Sequence, residues 1–233
     1  MKPTFFILFV SAYFLVLDTV CGLGVDELAE EINRLRSGPV GGEVSERIGE
    51  FEELHKKDSC EWFSELCFCI LTAYSSAELG LKIQRSLSCE DFLSMPRGEL
   101  SRRLRELGHR FSEKRAHFIV DARAFGNIKE IVTGFSDERL AREWLVKRIK
   151  GLGYKEASHF LRNVGYKNVA ILDRHVVRVM YEYGLISEVP GTLTRRKYLE
   201  LEQRLERLAE RTGLSLGELD LYLWFMRTGK ILK

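Results

Sequence analysis

The chain has 233 residues, a formal net charge of only +2 and 45% hydrophobic residues, values that suit one large domain or two small lobes with a sizeable core. Its five cysteines, an odd number without regular spacing, exclude a disulfide framework and predict buried free thiols at Cys21, Cys60, Cys67, Cys69 and Cys89. The sequence shows no internal repeat, no low-complexity segment and no convincing strand.

Residues 1–23 form an apolar leader that we keep apart from the fold. The stretch from Phe5 to Leu17 resembles a secretory signal peptide or a short anchor. It is short for a membrane span, which needs roughly 20 apolar residues. Three interpretations stay open: a translation start assigned too far upstream, with the protein beginning near Leu23 or Val25, a genuine anchor, or an extra ordered helix.

From Val25 onward, apolar residues recur at helical spacing, which predicts an all-α fold. The strongly apolar segment from Trp62 to Ala73 predicts a buried helix. The hydroxyl groups that follow it at residues 74–76 suit the cap of the next helix. Phe111 lies in a predicted loop, where its ring is either a plug of the core or part of a binding pocket.

The C-terminal third is predicted from its caps. Thr194 caps a long amphipathic helix that ends before Gly213. A capping box that begins at Ser215 starts the last helix, and this helix carries Trp224. A short tail then runs to Lys233.

The most informative stretch is a predicted helix, turn and helix at about residues 147–163. Its turn contains Gly151 and Gly153, and glycine allows a tight turn with exposed amides. These amides and the N-terminus of the second helix can hold a phosphate, although the pattern also fits a plain turn between helices. Lys155 lies in the first helical turn, where a cation opposes the helix dipole, so we expect a functional role for it.

Charge is unevenly spread along the chain. Residues 26–61 contain eleven acidic and five basic residues, whereas residues 139–178 contain ten basic and three acidic ones. A basic stripe of this kind is typical of a polyanion partner, and a solvated charged face is the alternative. The sequence therefore favours binding of nucleic acid through the second region.

Eighteen residues after Lys155, Asp173 closes a short apolar run and opens a new helix. A hairpin lysine followed at this distance by such an aspartate resembles the helix-hairpin-helix DNA glycosylases with lyase activity, above all the archaeal type-2 8-oxoguanine DNA glycosylase/AP lyases. The resemblance covers about residues 25–233. It implies a two-lobed all-α fold with DNA between the lobes, Lys155 as the nucleophile and Asp173 as the essential carboxylate.

The resemblance assigns further residues. It implies that Phe111 and Trp224 stack on the extruded base and that the terminal Lys233 helps to distinguish 8-oxoguanine from guanine. The DNA backbone is expected at Gly151, Gly153 and Lys150. Some relatives carry a four-cysteine iron–sulfur loop after the hairpin, but no cysteine follows Cys89 here, so we expect neither a cluster nor another cofactor or metal.

We therefore predict a repair enzyme that excises 8-oxoguanine from double-stranded DNA and nicks the abasic site by Schiff-base β-elimination. We expect a monomer in the cytoplasm, associated with the nucleoid, without a membrane partner. Two alternatives stay open: the same chemistry on another oxidised base, and a helix-hairpin-helix protein that only binds DNA. The sequence also leaves open whether carbonyl groups of the hairpin coordinate a monovalent cation.

Overall fold

The computed structural model describes residues 24–233, in which every regular element is a helix. The helices are α1 (residues 24–36), α2 (Pro39–Lys56), α3 (Ser59–Thr72), α4 (Ala77–Ser86), α5 (Cys89–Ser94), α6 (Arg97–Glu106), α7 (Ser112–Ala122), α8 (Ile128–Thr133), α9 (Glu138–Arg148), α10 (Tyr154–Asn163), α11 (Arg174–Glu182), α12 (Arg195–Thr212) and α13 (Leu216–Thr228), with a 3₁₀ turn at Arg123–Phe125. The predictions for the leader, residues 1–23, lie outside the described residues.

The buried apolar side chains form two separate cores. One core is built from residues between Trp62 and Val169, and so from helices α3 to α10. The other combines residues 28–51 with residues 170–223, so α1 and α2 pack with α11, α12 and α13. The two ends of the chain therefore share one lobe and the middle forms the other, which confirms the two-lobed all-α fold.

Local capping signals place the helix starts. The side chains of Asp137, Asp173, Thr194 and Ser215 each accept hydrogen bonds from backbone amides in the first turn of the helix that follows. Helix α7 lacks such a cap: Ser112 is its first residue, and the preceding residue offers no side-chain hydrogen bond. The buried hydroxyl of Ser112 thus lies inside the helix rather than before it.

Two cysteines are paired, which makes the prediction of free thiols wrong for them. Cys60 and Cys89 form a disulfide, with Cα atoms 5.6 Å apart, because the first turns of α3 and α5 meet. The carboxylate of Glu90 lies within 4.8 Å of both sulfurs, but sulfurs in a disulfide are not thiolate ligands for a metal. Cys67 and Cys69 are buried free thiols, as predicted, and burial raises the pKa of both.

A buried ion pair fixes the first hairpin helix against the other lobe. Arg142 on α9 is fully buried and donates to both carboxylate oxygens of Glu202 on α12, at 2.5 and 2.7 Å. Glu202 also accepts from the amide of Ala170, and Arg142 donates to the hydroxyl of Ser158. These hydrogen bonds hold α9, α10 and α12 in one arrangement, and Nε is the one guanidinium nitrogen of Arg142 that they leave without a partner among the described residues.

The segments in residues 24–233 include no helix that combines the length and the apolar character needed to cross a membrane.

Candidate active-site cleft

A cleft of about 860 Å³ opens between the two lobes. It is bordered by the turn after α3, by one face of α10, by the start of α11, by α13 and by the C-terminal tail. Four predicted site residues line it together: Lys155, Asp173, Trp224 and Lys233. Residues that are 78 positions apart in the sequence thus share one cavity.

Phe111 does not line this cleft. Its ring borders a neighbouring groove of about 590 Å³ that is rich in cationic side chains. The ring is 37% exposed, and the guanidinium carbon of Arg110 lies 4.4 Å from its centroid. Arg110 lines both cavities, so the groove and the cleft are neighbours. Phe111 thus lies in the groove that adjoins the cleft, next to the four residues with which it was grouped.

The turn of the hairpin needs its first glycine for two reasons. Gly151 has φ +91°, a conformation that side chains other than glycine rarely adopt, and a Cβ there would approach the ring of Phe118 to 2.5 Å. Gly153 has ordinary extended backbone, and its amide donates to the carboxylate of Glu156 at 3.1 Å. Lys150 pairs with Asp121 at 2.8 Å and is mostly exposed.

Lys155 lies in the first turn of α10, half-buried at the edge of the cleft. Within residues 24–233 its ammonium group has neither a carboxylate nor a carbonyl partner. The neighbouring cations differ, since Lys150 and Arg162 both hold carboxylates. The ammonium group of Lys155 is therefore open to a ligand in the cleft.

Asp173 is the N-cap of α11. One of its carboxylate oxygens, Oδ1, accepts from the amides of His175 and Val176, both at 2.8 Å. The other oxygen, Oδ2, has no hydrogen bond within the described part of the chain. The cap fixes the orientation of the carboxylate and leaves one oxygen for the cleft.

Lys233 is held in a socket. Its ammonium group donates to Oε2 of Glu65 at 2.7 Å and lies 4.9 Å from the centroid of the Phe68 ring. Glu65 is only 1% exposed and also accepts from the side-chain amides of Gln84 and Asn163. The last residue is thus ordered by a buried carboxylate with a complete set of donors and by a cation–π contact.

Trp224 is half-buried in the wall of the cleft, and its ring meets the ring of His175 edge-on at 6.2 Å. Tyr74 lies at the mouth, 88% exposed, with φ +60°. A positive φ in a tyrosine is a strained backbone state that clusters at functional sites. In the sequence, only the hydroxyl groups of residues 74–76 indicate this turn. They predict neither the positive φ of Tyr74 nor its exposure.

Only part of the basic stripe of residues 139–178 is exposed at the surface. Arg142 and Arg162 are buried in pairs with Glu202 and Asp220, so two of the ten cations counted there do not face solvent. Composition counts charge without burial, which is why the stripe looked more uniform in the sequence. Lys147, Arg148, Lys155 and Arg174 remain without a carboxylate partner among residues 24–233.

Sequence reasoning missed three polar groups in or beside the cleft. Glu65 stands alone as a charge in the apolar segment from Trp62 to Ala73, and a buried charge of this kind is a usable signal. Asp220 pairs with Arg162 at 3.0 Å, and burial together with the charge of Asp173 raises its pKa to about 7. His159 is the third group, and it lines the cleft.

Comparison with known proteins identifies the family. The family model described as 8-oxoguanine DNA glycosylase matches residues 44–214. An 8-oxoguanine DNA glycosylase/AP lyase from Methanocaldococcus jannaschii is 54% identical, over 88% of this chain and 99% of the relative. One from Korarchaeum cryptofilum is 50% identical, over 91% of this chain and all of the relative.

Solved structures show the same fold. The crystal structure of the Methanocaldococcus jannaschii enzyme in complex with 15mer DNA containing 8-oxoguanine matches with a TM-score of 0.86 and 53% identity, over 89% of this chain and all of that one. The 8-oxoguanine DNA glycosylase of Thermotoga maritima matches with a TM-score of 0.83 and 44% identity, over 90% of this chain and all of that one. The chain therefore belongs to the helix-hairpin-helix 8-oxoguanine DNA glycosylase family.

Proposed function

We propose that this chain excises 8-oxoguanine from double-stranded DNA and nicks the resulting abasic site. The observation that carries the proposal is that Lys155, unpartnered within residues 24–233, and the capped carboxylate of Asp173 line the same cleft, at the end of the hairpin. The relatives reported above carry the name of this activity, and one of them was crystallised with DNA that contains the lesion.

The hairpin holds the DNA backbone. The turn at Gly151 and Gly153 and the N-terminus of α10 present amides and a positive dipole end to a phosphate. Lys150 exchanges Asp121 for a phosphate oxygen, which costs little because this pair is exposed. Binding through these contacts weakens as salt concentration rises, since counterions are released from the DNA.

The target nucleotide leaves the duplex and enters the cleft, because its sugar is otherwise out of reach. Trp224 offers the flat face on which the extruded base stacks. Tyr74, exposed at the mouth, contacts the duplex next to the gap that the nucleotide leaves. Phe111 and the cations of its groove contact the DNA beside the cleft rather than the extruded base.

Lys155 performs the covalent chemistry. The ammonium group first gives up a proton, and the resulting amine forms a bond to C1′ of the sugar while the bond from C1′ to the base breaks; the base leaves with the electron pair and takes up a proton. The sugar ring opens to an imine that joins Lys155 to C1′. Loss of a proton from C2′ then expels the phosphate on the 3′ side, and this elimination cuts the strand.

Asp173 supports these steps through its free oxygen. The cap bonds to His175 and Val176 fix the carboxylate, so Oδ2 faces a cleft in which positive charge develops on the sugar. A fixed anion at that place stabilises the transition state more than the ground state. We assign proton transfer at the sugar to the same oxygen.

Lys233 reads the lesion. 8-Oxoguanine carries a proton on N7, where guanine has an acceptor, so the terminal carboxylate of Lys233 accepts from the lesion and faces an acceptor in guanine. An unpaired buried acceptor disfavours the normal base. The socket at Glu65 and Phe68 supports this role because it orders the last residue.

The test is a strand-nicking assay on matched duplexes that contain 8-oxoguanine, guanine, an oxidised pyrimidine or a preformed abasic site. We expect cutting at 8-oxoguanine and at the abasic site and none at guanine. Preference for the oxidised pyrimidine would favour the alternative lesion. Binding of every duplex without cutting would leave a protein that only binds DNA.

We also propose that the protein acts as a monomer on nucleoid DNA in the cytoplasm. Both chemical groups and the tail that reads the base lie in one cleft of one chain, which supports a monomer. A mass measurement in solution, with and without duplex, tests this assignment, and a stoichiometry of two chains per lesion would contradict it.

A further inference from the structure

His159 is a polar side chain that faces the cleft without a partner. It is 6% exposed and lies one helical turn after Lys155 on α10. Neither ring nitrogen has a hydrogen bond of standard geometry within residues 24–233. Because an unpaired buried nitrogen is costly, a histidine at this position calls for a role beyond filling space.

The environment of this ring keeps it neutral. Burial first, and then the charges of Lys155 and Arg162, hold the pKa of His159 well below its usual range, although the backbone of Lys233 lies near enough to favour the protonated ring. A neutral imidazole offers one N–H donor and one acceptor. His159 therefore can donate to an oxygen without adding a positive charge next to Lys155.

The ring also lies against the socket of the tail. His159 meets the ring of Phe68 edge-on at 5.6 Å, and the ammonium group of Lys233 lies 4.9 Å from the centroid of that same ring. Glu65 holds the ammonium end of the last residue, and the backbone of that residue lies beside the ring of His159. The ring of His159, whose nitrogens have no partner of standard geometry among the described residues, thus lies next to the backbone end of Lys233.

We propose that His159 is a positioning residue for lesion recognition: its ring N–H donates to the terminal carboxylate of Lys233 and leaves the other carboxylate oxygen for the N7–H of the extruded base. The inference rests on the proposed function, since it concerns the same cleft. A free chain end samples many orientations, and ordering it before the base arrives removes that entropy cost from recognition.

The test compares two activities in four proteins: the wild type, His159→Leu, a deletion of Lys233, and the double variant. For each, single-turnover release of 8-oxoguanine is measured next to nicking at a preformed abasic site, which has no base to read. We expect His159→Leu to lower the ratio of base release to abasic nicking about tenfold or more, in line with the cost of an unsatisfied buried acceptor. The ratio in the double variant should be no lower than in the deletion variant, because both changes remove the same contact.

Two further variants keep the result interpretable. His159→Gln retains an N–H donor and should recover part of the ratio, and it carries the test if the leucine variant does not fold. Leu161→Ala, in the core side of the same helix, should lower stability and leave the ratio unchanged.

An unchanged ratio in His159→Leu would overturn the proposal, as would losses that multiply in the double variant or an equal fall of both activities. If the wild type cuts neither substrate, the proposed function fails instead, and this outcome is visible in the same experiment.

Discussion

The two lysines at opposite ends of the cleft differ in whether they have a partner. At the hairpin end, Lys155 has no partner among residues 24–233, although Asp173 shares the cavity. At the tail end, Lys233 is tied to Glu65, which is almost fully buried. An amine that must form a bond to carbon has to be free, whereas an amine that only orders a chain end is best paired. The difference indicates chemistry at one end and recognition at the other.

Among the substitutions that test this comparison, Lys155→Gln has the largest expected effect. Removing the amine should abolish base release and abasic nicking together, because both steps use the same nitrogen. Affinity for the duplex, measured by titration at fixed salt, should stay within a few-fold of the wild type, since the phosphate contacts remain. Retained nicking in this variant would assign the chemistry to another amine.

Asp173→Asn removes charge at the same end and keeps the shape. We expect base release to fall by about 10²–10⁴-fold, the usual contribution of a positioned acid or base. Thermal stability should change little, because asparagine caps helices about as well as aspartate. A variant that melts early but retains its activity per folded molecule would make Asp173 a structural cap only.

Glu65→Gln tests the tail end of the cleft, because it removes the carboxylate that holds Lys233. Without the buried carboxylate, Lys233 loses its ion pair, and we expect base release to fall about tenfold while abasic nicking stays nearly constant. The melting temperature should drop by roughly 2–4 °C, which corresponds to about 1 kcal/mol in a chain of this size. Glu52→Gln, which breaks the exposed pair of Glu52 with Lys167, is the matched control and should alter neither activity. Equal loss of both activities in Glu65→Gln would argue against a role in recognition.

The smallest expected effect on activity accompanies the predictions on pH, which concern stability. Burial lowers the pKa of His159, and the charges of Lys155, Arg162 and Lys233 add to this effect. The neutral ring therefore contributes stability to the fold above about pH 6.5. This contribution is lost as pH falls towards the folded pKa. The slope for one proton is about 1.4 kcal/mol per pH unit at most. Denaturant unfolding of His159→Gln at pH 5.5 and 6.5 should show a flatter dependence than the wild type.

Asp220 changes the stability of the fold with pH in the opposite direction, so its contribution has to be measured separately from that of His159. Its pKa is raised to about 7, so the stability that it contributes is present at low pH and is lost as pH rises through 7. Asp220→Asn should therefore gain stability relative to the wild type as pH rises from 5 to 7. An unchanged difference between each variant and the wild type across this range would show that neither group titrates there.

The sequence predicted what is local. The helix at Tyr154–Asn163 and the caps at Asp173, Thr194 and Ser215 follow from a few neighbouring residues, and the structure places them as predicted. The lysine and the aspartate of the cleft were found because the resemblance fixes their spacing, and the cap at Asp173 then orients its carboxylate.

What the sequence could not predict depends on packing between distant segments. Glu65 and Lys233 are 168 residues apart, and no pattern in either segment points to the other. Arg142 looked like a surface cation until its partner on α12 was known. The same holds for the disulfide between Cys60 and Cys89, because two short helices meet only once the lobe is assembled.

The division of labour between the two lysines is tested most directly by trapping the covalent intermediate. The wild-type protein is incubated with a duplex that contains 8-oxoguanine in the presence of borohydride, which reduces the imine, and the residue attached to the sugar is then identified by peptide mass spectrometry. We expect one adduct, on Lys155. An adduct on Lys233 or on another amine, or the absence of any adduct while the strand is cut, would contradict the account.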